Sequence, residues 1–521
     1  MTDLSTPNSD PIPSPTSPRL PVEGHHRVAI IGTGFSGLGL AIRLRQSGED
    51  DFVLLERAED VGGCWRDNTY PGCQCDVQSI VYSYSFVPKA DWSRDFAMQG
   101  EIHEYLRECA RRFELRPRIR FGAEVRGARW DEDSQRWIIE TSRGTLTAEL
   151  LVSGHGGLSA PKRPPIDGLD AFEGPIFHSA EWRHDVPLRG KRVAVIGTGA
   201  SAIQIVPAIQ PEVGHLDVYQ RTPAWIVPRP DAPVSEAKKR LYRAVPPLRK
   251  LARLGRFAAL ESRILGMMTH PSLMRIPEML SRRYLRSQVS DPALREKLTP
   301  RYAMGCKRVL LSNDFYPALT QPNVELVTSA IHEVSRRGVI TEDGKLREVD
   351  AIVLCTGFRV ADHPMTGLIQ GRGGQTLAEY WRGGAQGYLG MSASGFPNLF
   401  LLASGPHIGL GHNSIVYIIE SQIEYVLQAM KEMHRNGHAV LNVRQEAVTE
   451  FIDEMQAKLD GSIWNSGCSS FYLDGTGRNI AIWPGFSAQY RLRTRRFDLG
   501  RFELERRRPP RASAEEALRY A

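Results

Sequence analysis

Val28-Ala29-Ile30-Ile31-Gly32-Thr33-Gly34-Phe35-Ser36-Gly37 is the stretch that decides the fold. Its four apolar residues read as a buried strand, the glycine-rich run as a tight turn, and residues 38–46 as the helix that follows. The pattern recurs at Val193-Ala194-Val195-Ile196-Gly197-Thr198-Gly199-Ala200-Ser201-Ala202. The first glycine allows the turn, the second lets backbone approach a pyrophosphate, and the third lets helix pack on strand. Ala202 takes the third place in the second copy. The pyrophosphate then lies at a helix N-terminus, where free N–H groups and the dipole favour an anion. The two motifs predict an α/β fold with two nested Rossmann-like dinucleotide-binding domains.

The next strand ends separate the two ligands. Glu56 and Arg221 each lie 24 residues after the first glycine of their motif. An acid there accepts a hydrogen bond from a ribose 2′-OH, whereas an arginine fits a 2′-phosphate. The Gly32 site is expected to hold FAD and the Gly197 site NADPH, since two dinucleotides in one chain suit hydride transfer from one to the other. A disulfide reductase needs a closely spaced cysteine pair. Cys64, Cys73 and Cys75 do not supply that spacing, so a flavin monooxygenase is favoured.

The remaining chain frames these motifs. At 521 residues it is too long for one core. Its 41% hydrophobic and 24% charged residues are ordinary for a globular protein. No apolar run approaches the ~18 residues of a membrane span, and no secretory signal opens the chain. Seven scattered cysteines predict reduced thiols, no metal site and a cytoplasmic setting. Residues 1–24, rich in Pro and Ser, read as a disordered leader. The expected FAD-binding domain is discontinuous, 25–160 and 360–500. The NADP-binding domain takes 161–229 and 301–359, with a basic helical insertion at 230–300. Linkers near 153–165 and 355–362 are hinge candidates. Further strands are expected at 52–55, 119–121, 137–140, 150–152, 324–327, 351–354 and 399–402, and helices at 414–432 and 445–459. Residues 501–521 read as a basic flexible tail, and the net charge of +7 carries no aromatic interleaving that suggests nucleic acid.

Four further elements carry a resemblance: Gly62-Gly63-Cys64-Trp65 with Tyr70-Pro71-Gly72 and Asp76; Phe172-x-Gly174-x-x-x-His178-x-x-x-Trp182; Cys306-Lys307-Arg308; and Cys355-Thr356-Gly357-Phe358. Together they resemble the Baeyer–Villiger monooxygenases over about residues 26–498. Arg183 stands where that family has proline, Cys355 where it has alanine, and Phe471 where many members have tryptophan in a Ser-Trp-Tyr element. Residues 477–486 resemble a branch distinct from the cyclohexanone-type enzymes.

The resemblance implies a reaction in which NADPH reduces FAD, O2 adds to give a C4a-peroxyflavin, and one oxygen enters beside a ketone carbonyl to give an ester or lactone. Negative charge develops as the adduct forms, and a permanent cation stabilises it. The resemblance assigns that role to Arg308, oriented by Asp76 through a carboxylate–guanidinium pair. It places Gly32, Gly34, Phe35, Ser36, Gly37, Glu56, Arg57, Cys64, Trp65, Tyr70, Asp76, Tyr82 and Val125 around FAD. Gly197, Thr198, Gly199, Ala200, Ser201, Ala202, Gln204, Arg221, Thr222 and Lys307 surround NADP. His178 and Trp182 are expected to serve the hinge. Bland readings stand beside these: a structural salt bridge for Arg308, a turn cap for Asp76, a helix cap for Asn413. His407, His412 and Asn413 lie in a glycine-rich stretch that suits approach to the flavin ring. Two other functions stay open, a sulfur or nitrogen monooxygenase and a non-oxygenating redox flavoprotein. The expected partners are a small ketone and O2, with the chain a monomer or weak oligomer.

Overall fold

Both glycine-rich turns connect a parallel strand to a helix, and each sits at the centre of its own sheet. A computed structural model describes residues 20–508 apart from His270 and Ser469. In the first sheet His25–Ile31 pairs in parallel with Phe52–Leu55 on one side and Gly144–Ser153 on the other. Its helix runs Phe35–Gln46, with Val28 and Ile30 fully buried under it. Leu399–Leu401 returns from the far end of the chain to pair with Gly144–Ser153. Val125–Asp131 and Arg136–Thr141 extend the sheet as an antiparallel meander. The alternation in Val125–Asp131 was not recognised because three of its seven residues are Arg or Asp and one is Gly.

The second sheet is wholly parallel, in the order Val324–Val327, His215–Tyr219, Arg192–Ile196, Ala351–Leu354, Ile176–His178. Its central strands bury both faces, which explains their unbroken apolar runs. A small antiparallel sheet, Ile331–Ser335, Gly338–Thr341 and Leu346–Glu348, covers one face.

The two segments that cross between the sheets run side by side. Lys162 N–H donates to Gly357 O (2.9 Å) and Arg359 N–H to Ala160 O (2.9 Å). His155 of one crossing packs on His363 of the other, ring centroids 4.3 Å apart.

The chain ends are shorter than their composition suggests. The leader was expected to reach residue 24, but Val22 is buried against the first sheet and the carbonyls of Leu20 and Pro21 accept from Arg143 and Arg120. The tail was expected from 501, but Phe502–Arg506 pairs with His438–Val443. Phe502 and Leu504 supply apolar contacts that a count of arginines conceals. The remainder of both segments, 1–19 and 509–521, lies outside the described residues. The thiols also differ from expectation: Cys306 and Cys468 form a disulfide across 162 residues, leaving five cysteines free. That separation hides the pair from any reading of spacing.

Candidate active site

The two turns are built alike and charged differently. Gly32 has φ +90°, a conformation that disfavours a side chain. A Cβ at Gly37 would lie 1.9 Å from Gly32 O, so helix and turn touch backbone to backbone. Helices Phe35–Gln46 and Ala202–Ile209 have no side-chain cap and no acid in the first turn. Ser235, Asp291 and Thr376 cap their helices, while Gln99–Arg112, Ile415–Asn436 and Gln445–Leu459 share the absence of a side-chain cap. The two N-termini at the glycine turns therefore keep their N–H groups for an anion, as a dinucleotide pyrophosphate requires.

Glu56 is buried beyond the first turn. One carboxylate oxygen accepts from Thr33 N–H (3.1 Å) and Thr33 Oγ1 (2.6 Å). The other meets Ala58 N–H (2.9 Å) and the Arg66 guanidinium (2.9 Å). This acid is fixed in place before any ligand arrives. Around it, Arg57 is half exposed and within 3.5 Å of Asp67. Ser36 Oγ donates to Leu402 O (3.2 Å), Trp65 Nε1 donates to Tyr82 Oη (3.1 Å), and Phe35 packs edge-on against Tyr82. Burial pushes the Cys64 thiol up to about 12, so it stays protonated. Val125 packs in the sheet core with Ala29 and Ala128.

At the second turn Thr198 Oγ1 donates to Thr222 O (3.4 Å), and Gly199, Ala200 and Arg221 are exposed. Arg221 and Lys307 come together from opposite ends of the domain. Burial and the Arg221 charge hold the Lys307 ammonium below its ordinary value. Among the described residues neither cation has an acidic ion-pair partner. Two repelling cations held together are a site for a dianion, and they fit a 2′-phosphate.

Gln204, expected near NADP, holds a loop of the first domain. Its amide accepts from Tyr70 Oη (3.2 Å) and Gln74 N–H (3.3 Å) and donates to Gln74 O (3.1 Å). It pins the second turn's helix to the loop that leads to Asp76.

Asp76 and Arg308 meet at this seam. Arg308 Nε donates to Asp76 Oδ2 (2.7 Å) and a terminal nitrogen donates to Oδ1 (2.8 Å), a bidentate pair with a third of the arginine side chain still open. The Asp76 charge raises the Arg308 guanidinium further against the effect of burial, so it is permanently charged. Burial pushes the Asp76 carboxyl up, but Arg308 and then Arg229 more than offset this and leave it low. Arg229, buried between prolines 228 and 230, is a second cation that the motifs did not reveal. Tyr472 is buried beside the pair, one residue past Phe471, which is more than half exposed. The disulfide fixes Cys306, two residues before Arg308, to the segment that carries Tyr472.

His178 and Trp182 sit at the crossing. His178 accepts from Ala180 N–H (3.1 Å), packs edge-on against Phe358 at 5.6 Å, and is held below its ordinary value by burial. Trp182 packs edge-on against Phe177 at 5.1 Å. Arg183, in place of proline, pairs with Asp185 at the surface. In the glycine-rich stretch His407 has φ +53°, meets Ile482 O (3.1 Å), and is pushed to about 4 by burial. Asn413 Oδ1 accepts from Ser414 N–H (2.8 Å) at the start of helix Ile415–Asn436. Its amide, His412 and Ser487 all converge on Glu261. Burial raises the Glu261 carboxyl, but these hydrogen bonds prevail and bring it to about 2. Glu261 was not foreseen, because its partners lie more than 150 residues away. His215, Asp217 and Glu325 form the one metal-like cluster among the described residues, and Arg347 already holds Glu325 (2.8 Å).

The flavin-binding monooxygenase-like family matches residues 25–367. A Baeyer–Villiger monooxygenase of Streptomyces coelicolor is 48% identical over 95% of this chain and 96% of its own length. One from Pseudomonas aeruginosa is also 48% identical, over 94% and 93%. This chain belongs to the Baeyer–Villiger monooxygenases. Solved members of the family share its architecture. A steroid monooxygenase bound to NADP superposes with a TM-score of 0.81 at 34% identity, covering 92% of this chain and 99% of that one. A cyclohexanone monooxygenase from Rhodococcus bound to NADP+ gives 0.83 at 28%, over 93% and 100%. No helix among the described residues of this monooxygenase is long and apolar enough to cross a membrane.

Proposed function

We propose that this protein is an NADPH-dependent FAD monooxygenase that inserts one oxygen atom of O2 beside a ketone carbonyl, giving an ester or lactone. The bidentate Asp76–Arg308 pair carries the reading. It holds a permanent, part-open cation at the seam between the two dinucleotide turns, where negative charge develops during oxygen insertion. The bound flavin and nicotinamide supply hydride transfer and oxygen activation. Asp76 fixes the guanidinium plane, Tyr472 closes one side of it, and neither residue needs to exchange a proton. The Gly32 turn with Glu56 holds FAD in the domain of residues 25–160 and 360–500, to which Val22 and strand Phe502–Arg506 also belong. The Gly197 turn, Arg221, Thr222 and Lys307 hold NADPH in the domain of residues 161–229 and 301–359, and the crossings paired at Ala160–Lys162 and Gly357–Arg359, against which His178 packs, hinge the two. We place the enzyme in the cytoplasm as a monomer or weak oligomer; the five unpaired cysteines favour a reducing setting and the Cys306–Cys468 disulfide runs against it.

Arg308→Ala tests the assignment. Ketone oxygenation should fall by about 10²–10³ or more while NADPH oxidation continues, with its electrons appearing as hydrogen peroxide. Ketone oxygenation that survived in Arg308→Ala would overturn the role given to this cation, and sulfide or amine oxygenation without ketone oxygenation would favour a sulfur or nitrogen oxygenase, which has no need of it.

A further inference from the structure

The helices of residues 236–297 bury apolar residues such as Leu260 and Leu285 on one side and carry a second apolar set on the side that faces water. On helix Pro246–Glu261, Leu248, Leu251, Gly255 and Ala258 recur at helical spacing and all face water; Leu251 is 64% exposed and neighbouring Leu254 61%. Its inward side carries Arg253, whose guanidinium donates to Ser83 O (2.9 Å). On helix Arg275–Gln288, Ile276, Met279 and Leu280 face water in line with Arg283, while Ser281 points inward and donates to Ile226 O (2.7 Å). Of the sixteen large hydrophobic side chains exposed among the described residues, ten lie between Leu241 and Leu280. Water-facing apolar residues on this scale mark an interaction surface.

Charge identifies the partner. Residues 236–288 hold 13 Lys and Arg against three Glu, a net +10, although the whole chain is only +7. The rest of the molecule is therefore slightly acidic. An apolar stripe set in a field of positive charge matches the interface of an anionic bilayer, with leucines in the acyl boundary and cations at the phosphates. A second copy of the same face would bring two such charges together, which disfavours self-association. An apolar groove of about 420 Å³, lined by Pro228, Pro277, Leu280 and Tyr284, opens beside Arg283 and suits an acyl chain under a phosphate. The opposite side of the insertion packs inward: Ile264, Met267 and Met274 join Trp225, Trp464 and Tyr472.

We infer that the 236–288 insertion docks this monooxygenase on the surface of anionic phospholipid membranes. The protein lies on the bilayer without crossing it, the leucine stripes submerged and the Tyr472 side of the insertion turned inward to the rest of the molecule. Docking is independent of which substrate is oxidised.

Flotation of the FAD-loaded full-length protein with vesicles tests this. It should float with equimolar phosphatidylcholine–phosphatidylglycerol vesicles, remain behind with pure phosphatidylcholine, and be partly released by high salt. Leu251→Glu/Met279→Glu, and separately Lys250→Glu/Arg283→Glu, should each weaken partitioning about tenfold or more while keeping flavin absorbance and NADPH oxidation. Failure to float, equal flotation with both vesicles, or unchanged partitioning of variants that retain flavin overturns the proposal. So does a dimer by light scattering that these substitutions dissociate, because the face would then be covered by a second copy.

Discussion

The Gly32 and Gly197 turns share a backbone and differ in what surrounds them. At the first, Glu56 is buried and already held by Thr33, Ala58 and Arg66. At the second, Arg221 and Lys307 are brought together without an acid, and Arg221 is open to solvent. A preformed, enclosed recognition point suits a ligand that stays. An exposed pair of cations waiting for charge suits one that comes and goes with each turnover. On the proposed assignment the same motif serves a resident cofactor in one domain and a diffusing co-substrate in the other, and the distinction lies in the second strand end.

Three substitutions probe this contrast, beginning with the largest effect. Gly37→Val forces a side chain into Gly32 O. It should abolish FAD retention, read as loss of flavin absorbance in the purified protein. A yellow Gly37→Val protein would mean that the first turn does not hold the flavin as proposed. Arg221→Ala, alone and with Lys307→Ala, should raise KM for NADPH by about 10–100-fold, the loss of one or two charged hydrogen bonds. KM for NADH should hardly move, so the ratio of the two isolates the 2′-phosphate. Equal losses for both nucleotides would remove the basis for the contrast. Gln204→Ala cuts the pin between the second turn and the Asp76 loop. It should cost about 1–2 kcal/mol in denaturant melts, with flavin content intact. If Gln204 instead contacted the nicotinamide nucleotide directly, KM for NADPH would rise with little change in stability.

Much of this was legible along the chain because it depends on local rules. Strand, turn and helix at both glycine motifs follow from apolar runs and glycine positions, and helix Gln445–Leu459 from its periodicity. Glu56 and Arg221 were found by counting from a glycine. What escaped notice depends on closure in space. Arg229 becomes part of the site because its segment runs beside Leu310–Leu311. Cys306 pairs with Cys468 because two remote loops share one wall. Gln204 lies one turn into a cofactor helix, where its spacing suggests a ligand contact, and only the packing of the Tyr70–Gln74 loop turns it inward. Strand Phe502–Arg506 is masked by Glu503, Glu505 and the arginines that flank it. Its partner His438–Val443, buried along nearly its whole length, has the stronger apolar signal.

The return of Leu399–Leu401 to the first sheet has a consequence for biosynthesis. Ser36 reaches Leu402, 366 residues further on, and the first helix packs against helix Ile415–Asn436. At ribosomal speeds of about 5–20 residues per second, the N-terminal half waits tens of seconds before the other wall of its flavin pocket exists. The middle domain, whose strands run from 176 to 354, can close first. If the Gly32 turn holds FAD as proposed, flavin enters as a late step of maturation, after the chain is nearly complete. A nascent chain halted before residue 400 carries an intact glycine motif and still lacks the strand Leu399–Leu401 and the helix Ile415–Asn436 that pack beside it.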